Sequence, residues 1–331
     1  MESIENKKNK NSVLKNIRSS IGNFRESVLI LVIVLLVIVM SYISSAFLTY
    51  GNITTTFIGV ATDGIVVAGM AVALICGNMD LSVGSLTCLA GVIAGKLYLS
   101  GTNIWLSSLV AIVVVMAFGL LNGILVTKVG LSSFIATLGM MGIARGLCLI
   151  VTQGTPLSLY SLPDDYKYLG QGKIGNVSIL IILFLLVAIV GDYLVRKSSV
   201  ARKVFYTGSN IKAAKFSGIN TTIITIGVFI LTAFASSIAG LLSISRLTVA
   251  SPTFGTGLEM TAISACVIGG VSLAGGEGSV LGAVLGVILL GMINSSLVIL
   301  NVSVYWQDLI SNMILLFAVS FDMLTHKRHL K

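Results

Sequence analysis

Ten stretches of mostly apolar residues, each close to the length a helix needs to cross a bilayer, restrict what this chain can fold into. They lie at 28–48, 57–76, 81–99, 105–126, 134–151, 177–195, 223–244, 258–273, 280–300 and 306–324. A helix rising ~1.5 Å per residue needs ~20 apolar residues to span the hydrocarbon layer. The eighth stretch is the shortest and begins beside Glu259. Backbone polar groups in lipid must be satisfied within the segment, which leaves helices as the reading for runs of this length. Only 10% of the residues are charged and 56% are hydrophobic, against roughly 25% charged in soluble domains. The sequence therefore predicts an all-α, polytopic transmembrane helix bundle of about ten spans. Three prolines leave most helices unbroken, and 35 glycines permit close helix packing.

The distribution of Lys and Arg orients such a bundle. Residues 1–27 hold six, the turn at Lys128 one, residues 196–220 six and the C-terminal tail three. The opposite side has only Lys96, Lys167, Lys173 and Arg246, and Arg145 lies inside a span. The excess places both termini in the cytoplasm. The net charge of +9 thus serves orientation, and no nucleic acid is implied. The domain reading follows: a cytoplasmic tail over 1–27, a membrane domain over 28–324 with a large cytoplasmic loop at 196–220, and a short cytoplasmic tail over 325–331. The first span follows a basic region but exceeds a typical signal core, so an uncleaved anchor is expected.

Several chemistries are excluded or made remote. Cys76, Cys88, Cys148 and Cys266 sit singly in apolar runs, with neither disulfide nor zinc spacing. Both histidines, His326 and His329, follow the last span, which removes histidine-based intramembrane catalysis and leaves no metal site to name. GGEGS (275–279) is not a phosphate loop, because no GxxxxGK[ST] occurs anywhere. Any nucleotide-driven step must therefore use a site on another protein.

A few polar positions stand out against this background. In GNMDLSVGS (77–85), Asp80 suits the cap of the third span's helix. It could equally line or gate an inner mouth, together with Asn78. Arg145 lies just beyond mid-membrane, where an uncompensated charge costs several kcal/mol. Glu259 and Asp63 lie at similar depth and are the expected partners. Asn294, Gln307 and Asp308 offer hydrogen bonds between helices. Asn78, Asp80, Arg145, Glu259 and Asn294 are the candidate pathway or gate residues. Gly77, Leu81 and Gly84 match Gly269, Leu273 and Gly276 at a constant offset, a correspondence too sparse to establish a repeat.

The loop segment ARKVFYTGSNIKAAKFSGIN (201–220) has four cations and no acid. Ser209 and Asn210 are good N-caps, and Gly218 suits the left-handed position after a helix end. A helix of about two turns is expected over 211–217, with Ala213, Ala214 and Ser217 sharing a small-residue face. Two roles fit that pattern: an interfacial helix drawn to anionic lipid, or a docking helix for another protein.

The same segment resembles the cytoplasmic coupling segment of permease subunits from ribose-type ABC sugar importers, whose pattern is GRxxxAxGxNxxAAxxSGI. GNMDLSVGS is similar to that family's GxIDLSVGS, with Asn78 and Met79 as departures. FIATLGMMGIARGL (134–147) and SPTFGTGLEMTAISACVIGGVSLAGGEGSVLGAVLG (251–286) resemble two further family blocks, the last departing at Cys266. The resemblance implies a homodimeric pore whose partners are a cytoplasmic ABC ATPase carrying ATP-Mg and an extracytoplasmic sugar-binding protein, with no cofactor on this chain. It implies an ATPase-coupling role for Arg202, Phe205, Gly208, Asn210, Ala213, Ala214, Ser217 and Gly218. Ribose is the expected substrate. The alternatives are an ion-gradient-driven secondary sugar transporter and, more remotely, a membrane-embedded enzyme.

Overall fold

In the computed structural model, residues 26–329 are described; the expected N-terminal tail up to residue 25 and the last two residues lie outside them. Thirteen helices follow in order among the described residues: α1 (Glu26–Ile43), α2 (Tyr50–Ile75), α3 (Val83–Leu99), α4 (Ile104–Ile124), α5 (Ser133–Thr152), α6 (Asp164–Gln171), α7 (Ile179–Lys197), α8 (Ser199–Ser209), α9 (Ile211–Phe216), α10 (Thr221–Leu247), α11 (Leu258–Ile268), α12 (Val280–Ile299) and α13 (Val304–His329). Each of the ten apolar stretches falls on one of them. Seven helices, namely α1, α2, α4, α5, α7, α10 and α12, are long and apolar enough to cross a membrane. α3 and α11 are shorter, at 17 and 11 residues.

The helix expected over 258–273 stops early, at Ile268. Gly269 and Gly270 terminate it: Gly270 holds φ 85°, and Gly269 lies against the backbone of Gly282 so closely that no side chain fits. The all-α expectation also needs a small amendment. Four two-residue strands form two antiparallel ribbons, β1 (Leu157–Ser158) with β4 (Val249–Ala250) and β2 (Lys173–Ile174) with β3 (Val177–Ser178). They fasten the α5–α7 connection across one end of the bundle. There α6 docks through Tyr166, which is 2% exposed, meets the Ser108 hydroxyl at 3.0 Å and packs edge-on to Trp105.

α10 is the central helix and packs against α2, α3 and α4. Small residues make this closeness possible. Gly240 faces the Thr87 carbonyl of α3, Gly119 the Phe229 carbonyl of α10, and Gly286 the Ala265 carbonyl of α11, each with no room for a Cβ. Without a hydrophobic force between helices in lipid, such packing and interhelical hydrogen bonds hold a bundle together. One apolar cluster joins α2, α7, α10, α11 and α12; the other joins α3, α4, α5 and α10. α10 belongs to both and connects the two halves of the core. α4 closes in a single π turn, Leu125–Val129, ended by Gly130 at φ 85°.

Candidate functional site

Three stretches far apart in sequence meet at the end of the bundle that carries α8 and α9. The Gly276 N–H donates to the Ile75 carbonyl at the end of α2 (2.8 Å). A Cβ on Gly208, near the end of α8, would overlap the Ile75 carbonyl oxygen and lie 2.8 Å from the Gly276 nitrogen. One on Gly275 would lie 2.8 Å from the Gly77 Cα and 2.9 Å from the Gly208 oxygen. Gly77 and Gly275 also hold left-handed φ values of 76° and 83°, which only glycine adopts without strain. The junction is therefore mostly backbone on backbone, with only the short Ser209 side chain against Gly276 to absorb a displacement. Close-packed contacts of this kind pass strain on rather than dissipate it.

Asp80 follows this junction and is fully enclosed, at 0% exposure. Its Oδ1 accepts the Ser82 N–H (3.0 Å) and the Ser82 hydroxyl. Its Oδ2 accepts the Thr232 hydroxyl of α10 (2.6 Å). Asn122 of α4 donates through Nδ2 to the Ser82 Oγ (3.0 Å). The turn is further held by Ser133 and Thr137 of α5, whose hydroxyl oxygens accept the N–H groups of Met79 (3.3 Å) and Leu81 (3.0 Å). A buried carboxylate needs such donors, and the Asp80–Ser82 part is an Asx turn that leads into α3. In this conformation Asp80 lines no open mouth; it ties α3 to α10. Asn78 donates to the Cys76 carbonyl (3.2 Å) within the same turn.

The basic loop segment is two helices rather than one. Ser198 caps α8 by accepting the Val200 N–H (3.1 Å). Asn210, with extended backbone, breaks the chain between the helices. Its Oδ1 then caps α9 by accepting the Lys212 and Ala213 N–H groups (3.1 and 3.0 Å), and Gly218 follows at φ 77°. Val204 and Thr207 face inward and Phe205 is half-buried. The expected shared face of small residues is split: Ala213 and Ser217 are exposed, but Ala214 is 3% exposed and packs inside. What α9 presents outward instead is Phe216, 93% exposed, with Ile211 also exposed, and Tyr206 of α8 is exposed beside them in sequence. Sequence reasoning passed over Phe216. Its signal was its place two residues after the inward-facing Ala214, on the opposite side of a short helix. Arg202 is exposed and donates to the Lys197 carbonyl (3.3 Å).

Arg145 forms neither of the expected ion pairs. Its Nη1 donates to the carbonyls of Pro252 and Phe254, both at 2.8 Å. Those carbonyls belong to the irregular strap between β4 and α11, which has no helical N–H groups to satisfy them. Glu259 instead lies beside Gly84 of α3, and Asp63 has Arg246 as its electrostatic neighbour. Replacing Arg145 by Leu removes the guanidinium donor from both carbonyls, leaving Pro252 only the weak Cys88 thiol donor (3.3 Å), and should cost on the order of 2 kcal/mol. Thermal melting of the detergent-purified chain checks this, and an unchanged midpoint would show the strap to be held by other contacts. Asn294 lies on the exposed side of α12, and the structure does not bring it to the Asp80 turn. No group of three or more His, Cys, Asp or Glu able to hold a metal exists among the described residues.

A multi-pass bundle with a backbone-locked junction beneath an exposed, basic helix pair is the architecture of a transport subunit of the bacterial inner membrane. Residues 52–319 match the family model described as the branched-chain amino acid transport system / permease component. The chain belongs to this family of ABC-importer permeases. Among similar curated proteins are two autoinducer 2 import system permease proteins LsrC. That of Yersinia enterocolitica is 35% identical over 91% of this chain and 83% of its own length, and that of Photorhabdus luminescens is 33% identical over 91% of each. The ribose import permease protein RbsC of Escherichia coli K12 is 32% identical over 90% of this chain and 93% of its own. These relatives are permease components rather than enzymes. No solved structure matches the chain.

Proposed function

We propose that this chain is the membrane-spanning subunit of an ATP-driven importer of a monosaccharide, with ribose the first candidate and a sugar-like signalling molecule of the autoinducer 2 type the second. The observation that carries the reading is the α8–α9 segment: an exposed aromatic knob on a basic helix, standing directly on the junction of Ile75, Gly208 and Gly276. An ABC ATPase docked there moves α8, and α8 moves the end of α2 and the loop before α12. The second substrate is kept because relatives named for each cargo match to similar extents.

The finer assignments belong to the same reading. The chain crosses the membrane about ten times with both termini in the cytoplasm, α3, α11 and α13 completing the seven long spans. Residues 28–324 form the permease domain, and the loop at 196–220 is its cytoplasmic contact. Two copies form the pore, lipid surrounds them, ATP-Mg is bound by the ATPase, and an external binding protein delivers the sugar. Arg202, Phe205, Gly208, Asn210, Ala213, Ser217 and Gly218 form the docking surface and its supports, Ala214 anchors it from inside, and Asp80 locks the inner gate. Proteoliposomes holding the chain with the ABC ATPase that copurifies with it and a sugar-binding protein from the same cell provide the test. Uptake of labelled ribose that requires ATP is expected. ATP-dependent uptake of autoinducer 2 alone would assign the second substrate, and uptake driven by an ion gradient without ATP would overturn the importer reading.

A further inference from the structure

A cavity of about 430 Å³ opens between α2, α7, α8 and α10, where the coupling segment meets the bundle. Its walls include Val72, Val195, Ala201, Phe205, Gly227 and Leu231, and Ser198 is the only lining residue with a side-chain hydroxyl. Along α10 it runs from Ile223 to Leu231, roughly 12 Å at 1.5 Å per residue. Leu194, Val200, Ile223 and Leu231 at its edges are exposed, so in a bilayer the opening faces hydrocarbon. A sugar would find no set of hydrogen-bond partners there. An alkyl chain would find a fitting wall on every side.

The charge around the opening narrows the occupant further. α8 contributes Val200, Ala201, Val204 and Phe205 to the lining, a spacing that places them on one helical face. Arg202 and Lys203 therefore fall on the two flanks of that face and are exposed. Between Asp192 and Glu259 the sequence has no acid at all. Arg196 is neutralised by Glu26 (2.8 Å) and Asp192 (2.6 Å). Lys197, Arg202 and Lys203 have no carboxylate within ion-pair distance among the described residues. An apolar slot beneath uncompensated cations is complementary to a lipid with a negative headgroup, since each Lys or Arg near an anionic surface contributes ~1 kcal/mol of attraction.

We propose that this slot is a binding site for one anionic phospholipid per protomer, an acyl chain lying between α7, α8 and α10 and the phosphate meeting Lys197, Arg202 and Lys203. The lipid is then part of the wall that supports α8 from behind. The proposal rests on the orientation given under Proposed function only for which leaflet supplies the lipid.

The test is native mass spectrometry of the full chain released from nanodiscs of phosphatidylglycerol and phosphatidylcholine in equal amounts. Wild type should retain one phosphatidylglycerol per protomer, at least 10-fold over phosphatidylcholine. Gly227→Phe fills the slot from a position where a Cβ meets nothing within 4 Å, and it should lose that lipid. The double variant Arg202→Gln/Lys203→Gln should keep a lipid but lose the headgroup preference. Equal retention of both lipids by wild type, or undiminished retention by Gly227→Phe, would overturn the proposal. If Gly227→Phe does not accumulate, Ala201→Leu makes the same comparison from the α8 side. No ATPase or sugar enters this assay, so its failure leaves the transport reading intact, and failure of ATP-driven uptake leaves the lipid result intact.

Discussion

Phe216→Glu should abolish capture of the partner ATPase while leaving the permease folded. Phe216 is 93% exposed at the end of α9, so the bundle loses nothing when it changes, whereas a docking groove that receives the ring would receive a carboxylate instead. Truncating a buried aromatic anchor at an interface costs upwards of ~2 kcal/mol, about 30-fold in affinity, and the buried charge adds to that. Copurification of the ATPase from detergent extract, quantified against wild type, measures the effect. The thermal midpoint of the isolated chain should not move. Ala213→Glu provides a second exposed position on the same helix. Ala214→Glu does not, because Ala214 is inside and its loss would report folding. Normal copurification and uptake by Phe216→Glu would remove α9 from the docking surface.

Gly208→Ala should be among the most damaging single-methyl changes at the described residues. The added carbon has nowhere to go: the Ile75 carbonyl occupies its position and the Gly276 nitrogen lies on the far side. Both neighbours are backbone, so relief requires α8 to withdraw from α2 or the glycine loop to open. Overpacking of this kind costs typically ~1–3 kcal/mol, and here it also parts α8 from the end of α2. The expected result is a lowered melting midpoint and ATP hydrolysis no longer coupled to uptake. Gly139→Ala is the control, since a Cβ there meets nothing within 4 Å and helix-interior alanine is favoured over glycine by roughly 0.5–1 kcal/mol. A Gly208→Ala variant that melts and transports like wild type would mean the junction yields easily.

What was legible in the sequence was what depends on neighbouring residues. Apolar runs marked ten helices because lipid demands length and composition together. Asn210 and Gly218 marked α9 because a cap and a left-handed glycine act within a few residues. α8 was not foreseen: its Val200, Val204 and Thr207 repeat is weak among β-branched residues and a glycine, and burial against the bundle makes it a helix. Thr232 and Asn122 were invisible as partners of the Asp80 turn, since only folding brings α4 and α10 to α3. Arg145 was recognised as needing partners, but charge arithmetic suggested carboxylates. Two carbonyls of a non-helical strap satisfied it instead, and sequence carries no mark of a carbonyl in need. Sequence showed GGEGS only as no phosphate loop; that it packs on Gly77 and Gly208 is a long-range fact.

The glycine junction also sets a schedule for biogenesis. Ile75 is inserted early, Gly208 follows much later, and Gly276 comes last of the three. At ~5–20 residues per second of synthesis, roughly 3–14 s separate the appearance of Gly208 from that of Gly276. Through that interval α8 and α9 stand without their final support, and the hydrogen bond from Gly276 to Ile75 completes it only when the loop before α12 emerges. A permease truncated before residue 276 would carry α8 and α9 on an unfinished base, so the order of synthesis itself delays a firm seat for this helix pair until most of the described bundle has been made.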